Sequence, residues 1–191
     1  MRVPGDGRHA LGYSLIEILT VLAIVGFMML VSVPSIVRWN EIYLMRSSAR
    51  DFANALKLGR MKAVAANQSF VTELNPPAGI RNQCPGQTVA IPPVIFVVYQ
   101  SVPAPAIAKA EECFRGAKGI KAEQVAGASK AVTFKSNGMA VVAASPNRFK
   151  VTSRNGKFCQ LVCVTPAGGV QLGAVLEGAD CTTPPANCSV N

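Results

Sequence analysis

An uncharged apolar segment near the N-terminus constrains the fold of this chain more than any other feature. No Asp, Glu, Lys or Arg occurs in the 20 positions from Ile18 to Val37, about the length that an α-helix needs to cross roughly 30 Å of hydrocarbon. Arg2 and Arg8 precede this segment, and such positive charge holds an N-terminus in the cytoplasm. The sequence therefore predicts a single membrane span, with the rest of the chain on the far side of the membrane.

Glu17, at the start of this segment, is not explained by a signal peptide or by a simple anchor. The apolar core of a cleaved secretory signal has about 7–15 residues followed by a small-residue cleavage site, and no such site follows Pro34. A carboxylate inside a bilayer costs about 2.5–3.5 kcal/mol on insertion scales, so it usually has a partner. The segment is therefore expected to do more than hold the chain in a membrane.

The residues from Gly12 to Glu17 read Gly-Tyr-Ser-Leu-Ile-Glu, after a short basic leader and before the apolar run. They resemble the class III signal of type IV pilins and pseudopilins, which is usually Gly-Phe-Thr-Leu-Ile-Glu. The resemblance implies that prepilin peptidase cleaves between Gly12 and Tyr13 and that Tyr13 is then N-methylated. It implies three regions: a leader at 1–12, a transmembrane and filament-core helix at 13–37, and a periplasmic globular domain at 38–191.

The same resemblance implies roles for single residues and for partners. Glu17 would pair with the terminal amine of Tyr13 in a neighbouring subunit, a pair that is stronger where no water competes. Pro34 removes the helix bond to Leu30 and should kink or loosen the helix. The implied partners are prepilin peptidase, other major and minor pilins or pseudopilins, and an inner-membrane assembly platform. The platform would work with a separate ATPase, because this sequence has no P-loop.

The segment after the membrane span continues as a helix by its pattern. Residues 38–67 contain no proline, and apolar residues recur in steps of three and four. These apolar positions are Ile42, Met45, Ala49, Phe52, Leu56 and Ala63. The pattern predicts one helix over 13–67, with the stripe packed on a sheet and a basic face in solvent. The basic face carries Arg46, Arg50, Lys57, Arg60 and Lys62, with Asp51.

The end of this helix resembles one branch of the pilin superfamily. Residues 51–71 are similar to the second signature of the GspH/FimT minor pilins, although Gly59 stands where that branch usually has alanine. The branch implies a structural subunit, a minor type IV pilin or a type II secretion pseudopilin, involved in assembly or priming of the filament. It would lie in the bacterial inner membrane and then in the pilus or pseudopilus.

Alternating apolar residues and turn signals follow the helix. They predict an antiparallel sheet packed on the helix, an α+β arrangement with disulfides. Residues 104–127 are compatible with a short helix or a long loop, and the tail from Gly178 is irregular. The predicted strands are Phe70–Leu74, Val94–Tyr99, Val132–Phe134, Met139–Ala143, Arg148–Arg154, Lys157–Val164 and Val170–Leu176.

A basic hairpin gives an alternative function, that of a pilus-associated receptor for DNA. No Asp or Glu lies between Glu123 and Glu177, and strand alternation places the basic residues of its first strand on one face. Such a face would contact phosphates, or it would be a solvated face that protects a sheet from aggregation. The nucleic-acid candidates are Arg148, Lys150, Arg154 and Lys157.

The turn at residues 168–171 argues against DNA capture. DNA-capturing members of the branch carry Gly-Arg-x-Arg at the turn into the last strand, whereas this chain has Gly-Gly-Val-Gln there. Both arginine positions are uncharged. The resemblance therefore favours a subunit of the filament over a receptor for DNA.

The sequence offers little for catalysis. Its one histidine, His9, lies in the leader, which removes Ser-His-Asp and Cys-His chemistry from the mature chain. We therefore expect neither an enzyme nor a cofactor or metal site, and a four-thiolate zinc site is disfavoured because no Cys-x-x-Cys occurs.

Six cysteines beyond the membrane segment suit disulfides in an oxidising periplasm. Cys159 and Cys163, about 13 Å apart in one strand, are too distant to bridge each other. Our interpretation pairs Cys84 with Cys113, and Cys181 and Cys188 with Cys159 and Cys163 or with each other.

Overall fold

The computed structural model describes residues 14–84, 95–101, 109–125, 129–141 and 147–181, without the side chains of residues 30–34, 95, 179 and 180. Two helices, nine strands and a short 3₁₀ turn lie in this part of the chain. The helices are α1 (Leu15–Ala66) and α2 (Ala78–Arg81), and the 3₁₀ turn is Gly178–Cys181. The strands are β1 (Phe70–Leu74), β2 (Ile95–Gln100), β3 (Ala110–Arg115), β4 (Lys121–Gln124), β5 (Ala131–Phe134), β6 (Ala140–Val141), β7 (Asn147–Thr152), β8 (Phe158–Val164) and β9 (Val170–Glu177).

Helix α1 runs through two compact units of the chain, Met1–Asn40 and Glu41–Asn191. In the first unit, the described side chains at positions 14–29 and 35–40 are all exposed. Within the described ranges, none of the helices combines the length and the apolar character that a membrane crossing needs. Position 34 belongs to α1, and the kink expected from Pro34 stays a prediction.

The second half of α1 buries the stripe that the sequence predicts. Met45, Ala49 and Leu56 have no exposed surface, and Ile42 packs at the edge of the same cluster. The helix ends at Asn67, which takes a left-handed φ of 50°, a frequent way of terminating a helix. The predicted helix over 13–67 is therefore confirmed within two residues at each end.

The strands form two antiparallel sheets rather than the one sheet that the sequence analysis predicts. The order is β3-β2-β1-β5-β6 in the first sheet and β4-β7-β8-β9 in the second. The two sheets meet where Ala140 N donates to Pro166 O at 2.9 Å, which joins β6 to the β8–β9 turn. The α+β architecture is confirmed, and the sheet is divided in two.

The sequence of residues 104–127 is compatible with a short helix or a long loop, whereas their described part contains two strands. β3 pairs with β2, and β4 pairs with β7. Intrinsic propensity favours a helix for the β4 sequence Lys-Ala-Glu-Gln, but Ala122 is buried against the core while the flanking side chains are exposed. Tertiary packing therefore overrides local preference.

Phe52 of α1 connects the two sheets in one core. Its ring stacks on Phe96 of β2, with ring centroids 4.2 Å apart, and meets Phe149 of β7 edge-on at 4.8 Å. All three side chains are 0 or 1% exposed. The core thus lies between the second half of α1 and both sheets.

Gly59 is required by the close approach of α1 to β1. A Cβ at this position would collide with Oγ1 of Thr72 and would lie 3.5 Å from the ring of Phe134. Thr72 is buried, and its hydroxyl has no hydrogen-bond partner in the structure. This chain therefore has Gly59 where the GspH/FimT branch usually has alanine, at the point where Thr72 faces the helix.

Two described disulfides hold segments that lack regular structure of their own. Cys84 bonds Cys113, as expected, and ties the segment after α2 to β3. Cys159 bonds Cys181, one of the pairings left open by the sequence, and holds the 3₁₀ turn against β8. Cys163 is also disulfide-bonded, whereas Cys188 lies outside the described residues. The described cysteines include no free thiol.

Candidate functional site: three interaction surfaces

The N-terminal part of α1 presents apolar side chains on every side. Leu15 is 76% exposed, Phe27 is 70% exposed and Met28 is 63% exposed. Glu17 stands in the first turn of this segment and is itself exposed. Gly12 and Tyr13, the predicted processing residues, lie outside the described residues. A helix that is apolar all round needs a non-aqueous environment or other helices to cover it.

The basic strand β7 alternates as the sequence predicts. Phe149 and Val151 are buried in the core, whereas Arg148 and Lys150 lie on the opposite face and are partly buried. Lys150 Nζ is 3.7 Å from a carboxylate oxygen of Glu123 on the neighbouring strand β4. This face is therefore less positive than the sequence suggests.

The C-terminal 3₁₀ turn lies on this same face of the second sheet. Lys150 Nζ donates to the carbonyl of Cys181 at 3.3 Å, and Cys181 is bonded to Cys159. Leu161, paired with Lys150 across the strands, is only 2% exposed. Two of the four nucleic-acid candidates, Arg148 and Lys150, are thus partly buried on a face that also carries this turn.

The other two candidates lie at the β7–β8 hairpin. Arg154 and Lys157 flank the turn and are exposed, and the Arg154 side chain lies beside Gly119, where a Cβ would be 3.0 Å from its Cγ. The predicted turn is confirmed, because Gly156 has a φ of 76° and Gly156 N donates to Ser153 O. The side chain of Asn155 donates to Glu41 of α1.

A third surface is a groove of about 660 Å³ beside the second half of α1, here named the Met61 groove. Its helical wall presents both apolar and basic side chains, and its other wall is the β8–β9 turn. Met61 is 60% exposed and Val64 is 53% exposed. The lining residues are Lys57, Arg60, Met61, Val64, Ala65, Gly168 and Val170.

Arg60 connects the two walls of the Met61 groove. Its Nη1 donates to the carbonyl of Gly168 at 3.2 Å. Gly138, in the β5–β6 turn, is packed so closely that a Cβ there would lie 3.2 Å from Arg60 Nε and 3.3 Å from Val64 Cγ2. Gly138 and Gly168 both have a φ of 77°, which side-chain-bearing residues rarely adopt. The walls of the groove are therefore fixed by helix, turn and hairpin together.

Two residues of the basic helix face, Arg60 and Lys62, contact other elements of the fold. Arg60 contacts the β8–β9 turn, and Lys62 Nζ lies 2.6 Å from Glu111 and 3.9 Å from Glu112 on β3. The sequence analysis also missed Met61 and Val64 as surface residues. One signal in the sequence could have indicated Met61 and Val64. They are apolar residues on a helix face that is otherwise rich in Lys and Arg.

The described residues hold little that resembles a catalytic centre. They contain no group of three or more His, Cys, Asp or Glu that could hold a metal ion. Tyr99 donates to Glu73 at 2.7 Å; burial first, and then this hydrogen bond and the nearby negative charge, raise the pKa of Tyr99 above its ordinary value. The phenol therefore stays protonated as a structural donor between β1 and β2.

The family comparison agrees with the resemblance seen in the sequence. The model of the family described as "Type II transport protein GspH" matches residues 48–168, more than half of the chain. No curated protein matches the chain significantly.

Solved structures share the fold at low sequence identity. The type IV minor pilin FimU of Pseudomonas aeruginosa strain PAO1 is 15% identical, with a TM-score of 0.52 over 79% of this chain and 99% of that chain. A second crystal form of FimU gives 17% identity and a TM-score of 0.50 over 75% and 99% of the two chains. The minor pseudopilin EpsH of Vibrio cholerae is 14% identical, with a TM-score of 0.47 over 68% and 95%. Such similarity concerns the fold alone.

The described fold and the family match lead to the same assignment. A long helix packs its second half on antiparallel sheets, two disulfides hold the loops, and the match extends from α1 to the β8–β9 turn. This chain belongs to the GspH family.

Proposed function

We propose that this chain is a non-catalytic minor subunit of a type IV pilus or type II secretion pseudopilus, acting in the assembly or priming of that filament. The observation that carries the proposal is the contrast along α1: one part exposes apolar residues on every side, and the next part buries one stripe. Such a helix serves as an anchor in lipid and later packs with like helices in a filament core. The match to the GspH family over residues 48–168 supports a subunit of this kind.

The proposal includes processing and a location. Prepilin peptidase cleaves between Gly12 and Tyr13, Tyr13 becomes N-methylated, and the uncharged run from Ile18 to Val37 holds the chain in the inner membrane. The globular part then lies in the periplasm, where an oxidising environment supports the disulfides. The subunit enters the filament through the inner-membrane platform and its separate ATPase, beside other pilins.

Glu17 is the proposed assembly residue. Its carboxylate stands one helical turn after the new N-terminus, so a neighbouring Tyr13 amine can neutralise it when both leave lipid for the filament core. Removing the charge should therefore leave membrane insertion intact and reduce incorporation into the filament.

The experiment compares three forms of the full chain in cells that assemble the filament. Mass spectrometry of the incorporated wild type should give an N-methylated Tyr13 as the first residue. Glu17→Gln should remain in the membrane fraction and be depleted from filaments, whereas Asp51→Asn, a carboxylate change later on the same helix, should be incorporated normally. A mature chain that begins elsewhere, or equal incorporation of both variants, would contradict the proposal.

DNA binding through β7 is not proposed as a second function. Lys150 is engaged with Glu123 and with the carbonyl of Cys181, and the neighbouring Leu161 is buried. Lys150 is therefore less available to phosphates than an unpaired cation would be.

A further inference from the structure

We infer that the Met61 groove is a docking site for an acidic, apolar segment of another pilin subunit in the same filament. This inference rests on the proposed function, because it names a contact that the subunit makes after assembly. It also goes beyond that function, since it assigns the contact to the globular part rather than to the filament-core helix.

The first support is the exposed apolar surface that lines the groove. Among the described residues from Glu41 onward, the exposed large apolar side chains are Tyr43, Met61, Val64, Met139 and Val141. Met61 and Val64 line the groove. Met139 and Val141 follow Gly138, the residue of the β5–β6 turn that packs against Val64. Exposed apolar residues that collect at one place indicate a binding surface more strongly than isolated ones do.

The second support is the fixed shape of the groove. The bond from Arg60 to Gly168 ties α1 to the β8–β9 turn. Thr165 holds that turn, because its backbone N donates to Gly169 O at 2.9 Å and its Oγ1 accepts from Gly169 N at 3.0 Å. A preformed groove loses little conformational freedom when it binds a partner. Its volume of about 660 Å³ is large enough for several side chains of one segment.

The third support is charge, which selects the partner. Lys57 and Arg60 line the groove together with its apolar residues, and no described Asp or Glu forms an ion pair with either of them. Lys57, Met61 and Val64 follow one another in steps of four and three along α1, so charge and apolar surface lie on one face. The complement of that face is a segment with apolar side chains flanked by carboxylates.

The same features argue against two other occupants. A second copy of this chain carries a formal charge of +9, so like-charge repulsion opposes it. Nucleic acid would meet Met61, Val64 and Val170 where it needs cations, because these apolar residues line the groove. An acidic segment of a different subunit is therefore the occupant that fits.

The test is photo-crosslinking of the full chain in the assembled filament. A benzophenone amino acid replaces Met61, and the control places it at Asn54, which is exposed on the same helix outside the groove. We expect a crosslink from position 61 to a different pilin subunit, at a peptide containing Asp or Glu, and no such product from position 54.

Charge reversal then separates docking from chance proximity. Lys57→Glu should lower the yield of the crosslink at least about fivefold, the effect of losing one favourable charge contact at an interface. Arg50→Glu makes the same change on α1 outside the groove lining and should leave the yield unchanged. Replacing the partner's crosslinked carboxylate by lysine should restore the yield with Lys57→Glu.

Several outcomes would overturn the inference. They are a crosslink to a second copy or to nucleic acid, no product although the chain is incorporated, or an equal loss with Arg50→Glu. Failure of the proposed function has a different signature, since the chain would then be absent from filaments or would lack Tyr13 as its first residue. The two failures are thus distinguishable in the same preparation.

Discussion

The two halves of α1 belong to one helix, but apolar side chains are exposed in the first half and partly buried as a stripe in the second. Between residues 14 and 29 every described side chain is exposed, including Phe27 at 70%. Between residues 41 and 66 the apolar residues form a stripe, in which Phe52 is 1% exposed between two other aromatic rings. Both halves are helical. They differ in how far their described apolar side chains are exposed.

This difference separates folding from assembly within one element. The second half of α1 is stabilised by contacts inside the chain, so its substitutions should change the free energy of unfolding. The described side chains of the first half are exposed, so its substitutions should change insertion or incorporation instead. Paired variants, one from each half, test this separation.

The largest expected effect is the loss of a ring from the core. Phe52→Ala removes a buried side chain that contacts both Phe96 and Phe149, and such a truncation costs about 3–5 kcal/mol of unfolding free energy. Phe27→Ala should change it by less than about 0.5 kcal/mol, because the side chain is exposed. Denaturant unfolding of the two variants in mild detergent measures the difference, and equal losses would refute the separation.

The second-largest expected effect is the loss of the disulfide that holds the 3₁₀ turn against β8. Replacing Cys159 and Cys181 together by serine opens a covalent link between residues 22 positions apart, which should cost about 3 kcal/mol of unfolding free energy. The loss should be confined to the globular unit, with membrane insertion of the first half of α1 unchanged. Unfolding curves under non-reducing conditions and membrane fractionation check the two statements, and reduced insertion would contradict the second.

Gly59 and Gly26, both in α1, give the most closely matched pair of variants, because each is changed from glycine to alanine. Gly59→Ala places a Cβ against Thr72, and such overpacking costs about 1–3 kcal/mol. Gly26→Ala meets nothing within 4 Å, so the helix should gain from the better helix former. The double variant Gly59→Ala, Thr72→Ala should recover part of the loss, because it removes the colliding hydroxyl. Thermal melting of all three forms tests the explanation, which fails if Gly59→Ala melts at the wild-type temperature.

The smallest expected effect is that of a surface ion pair. Lys62→Ala removes the contact with Glu111 at 2.6 Å, yet both side chains are partly solvated, so the loss should be about 0.2–1 kcal/mol and should shrink in high salt. Lys57→Ala, on the same face and without a described ion pair, should have no measurable effect. Unfolding at low and high salt distinguishes the two, and a larger loss for Lys57→Ala would contradict this account.

Much of the fold was predictable because hydrophobic periodicity is a local signal. The stripe from Ile42 to Ala63, the strand Phe70–Leu74 and the turn at Gly156 were all predicted and are confirmed. β3 and β4 were not predictable, because their sequences contain charged or helix-favouring residues and become strands only by pairing with β2 and β7. The division into two sheets depends on the same long-range pairing.

The candidate surfaces show the same limit. The sequence indicated a basic β7 face, but the pairing of Lys150 with Glu123 and the bond from Cys159 to Cys181 join residues far apart in the chain. The Met61 groove was missed because its walls come from α1 and from the β8–β9 turn, and no short segment contains both. Neither outcome follows from spacing along the chain.

The sequence by itself determined the helix, its change from apolar all round to a single stripe, and the alternation of the main strands. These properties depend on which residues follow one another at intervals of two to four, and side-chain direction is fixed over such distances by the backbone. Only the tertiary structure decided how the strands divide between two sheets, which charges are neutralised and where a groove opens. Those properties depend on contacts between distant segments, and burial, not local preference, selects among them.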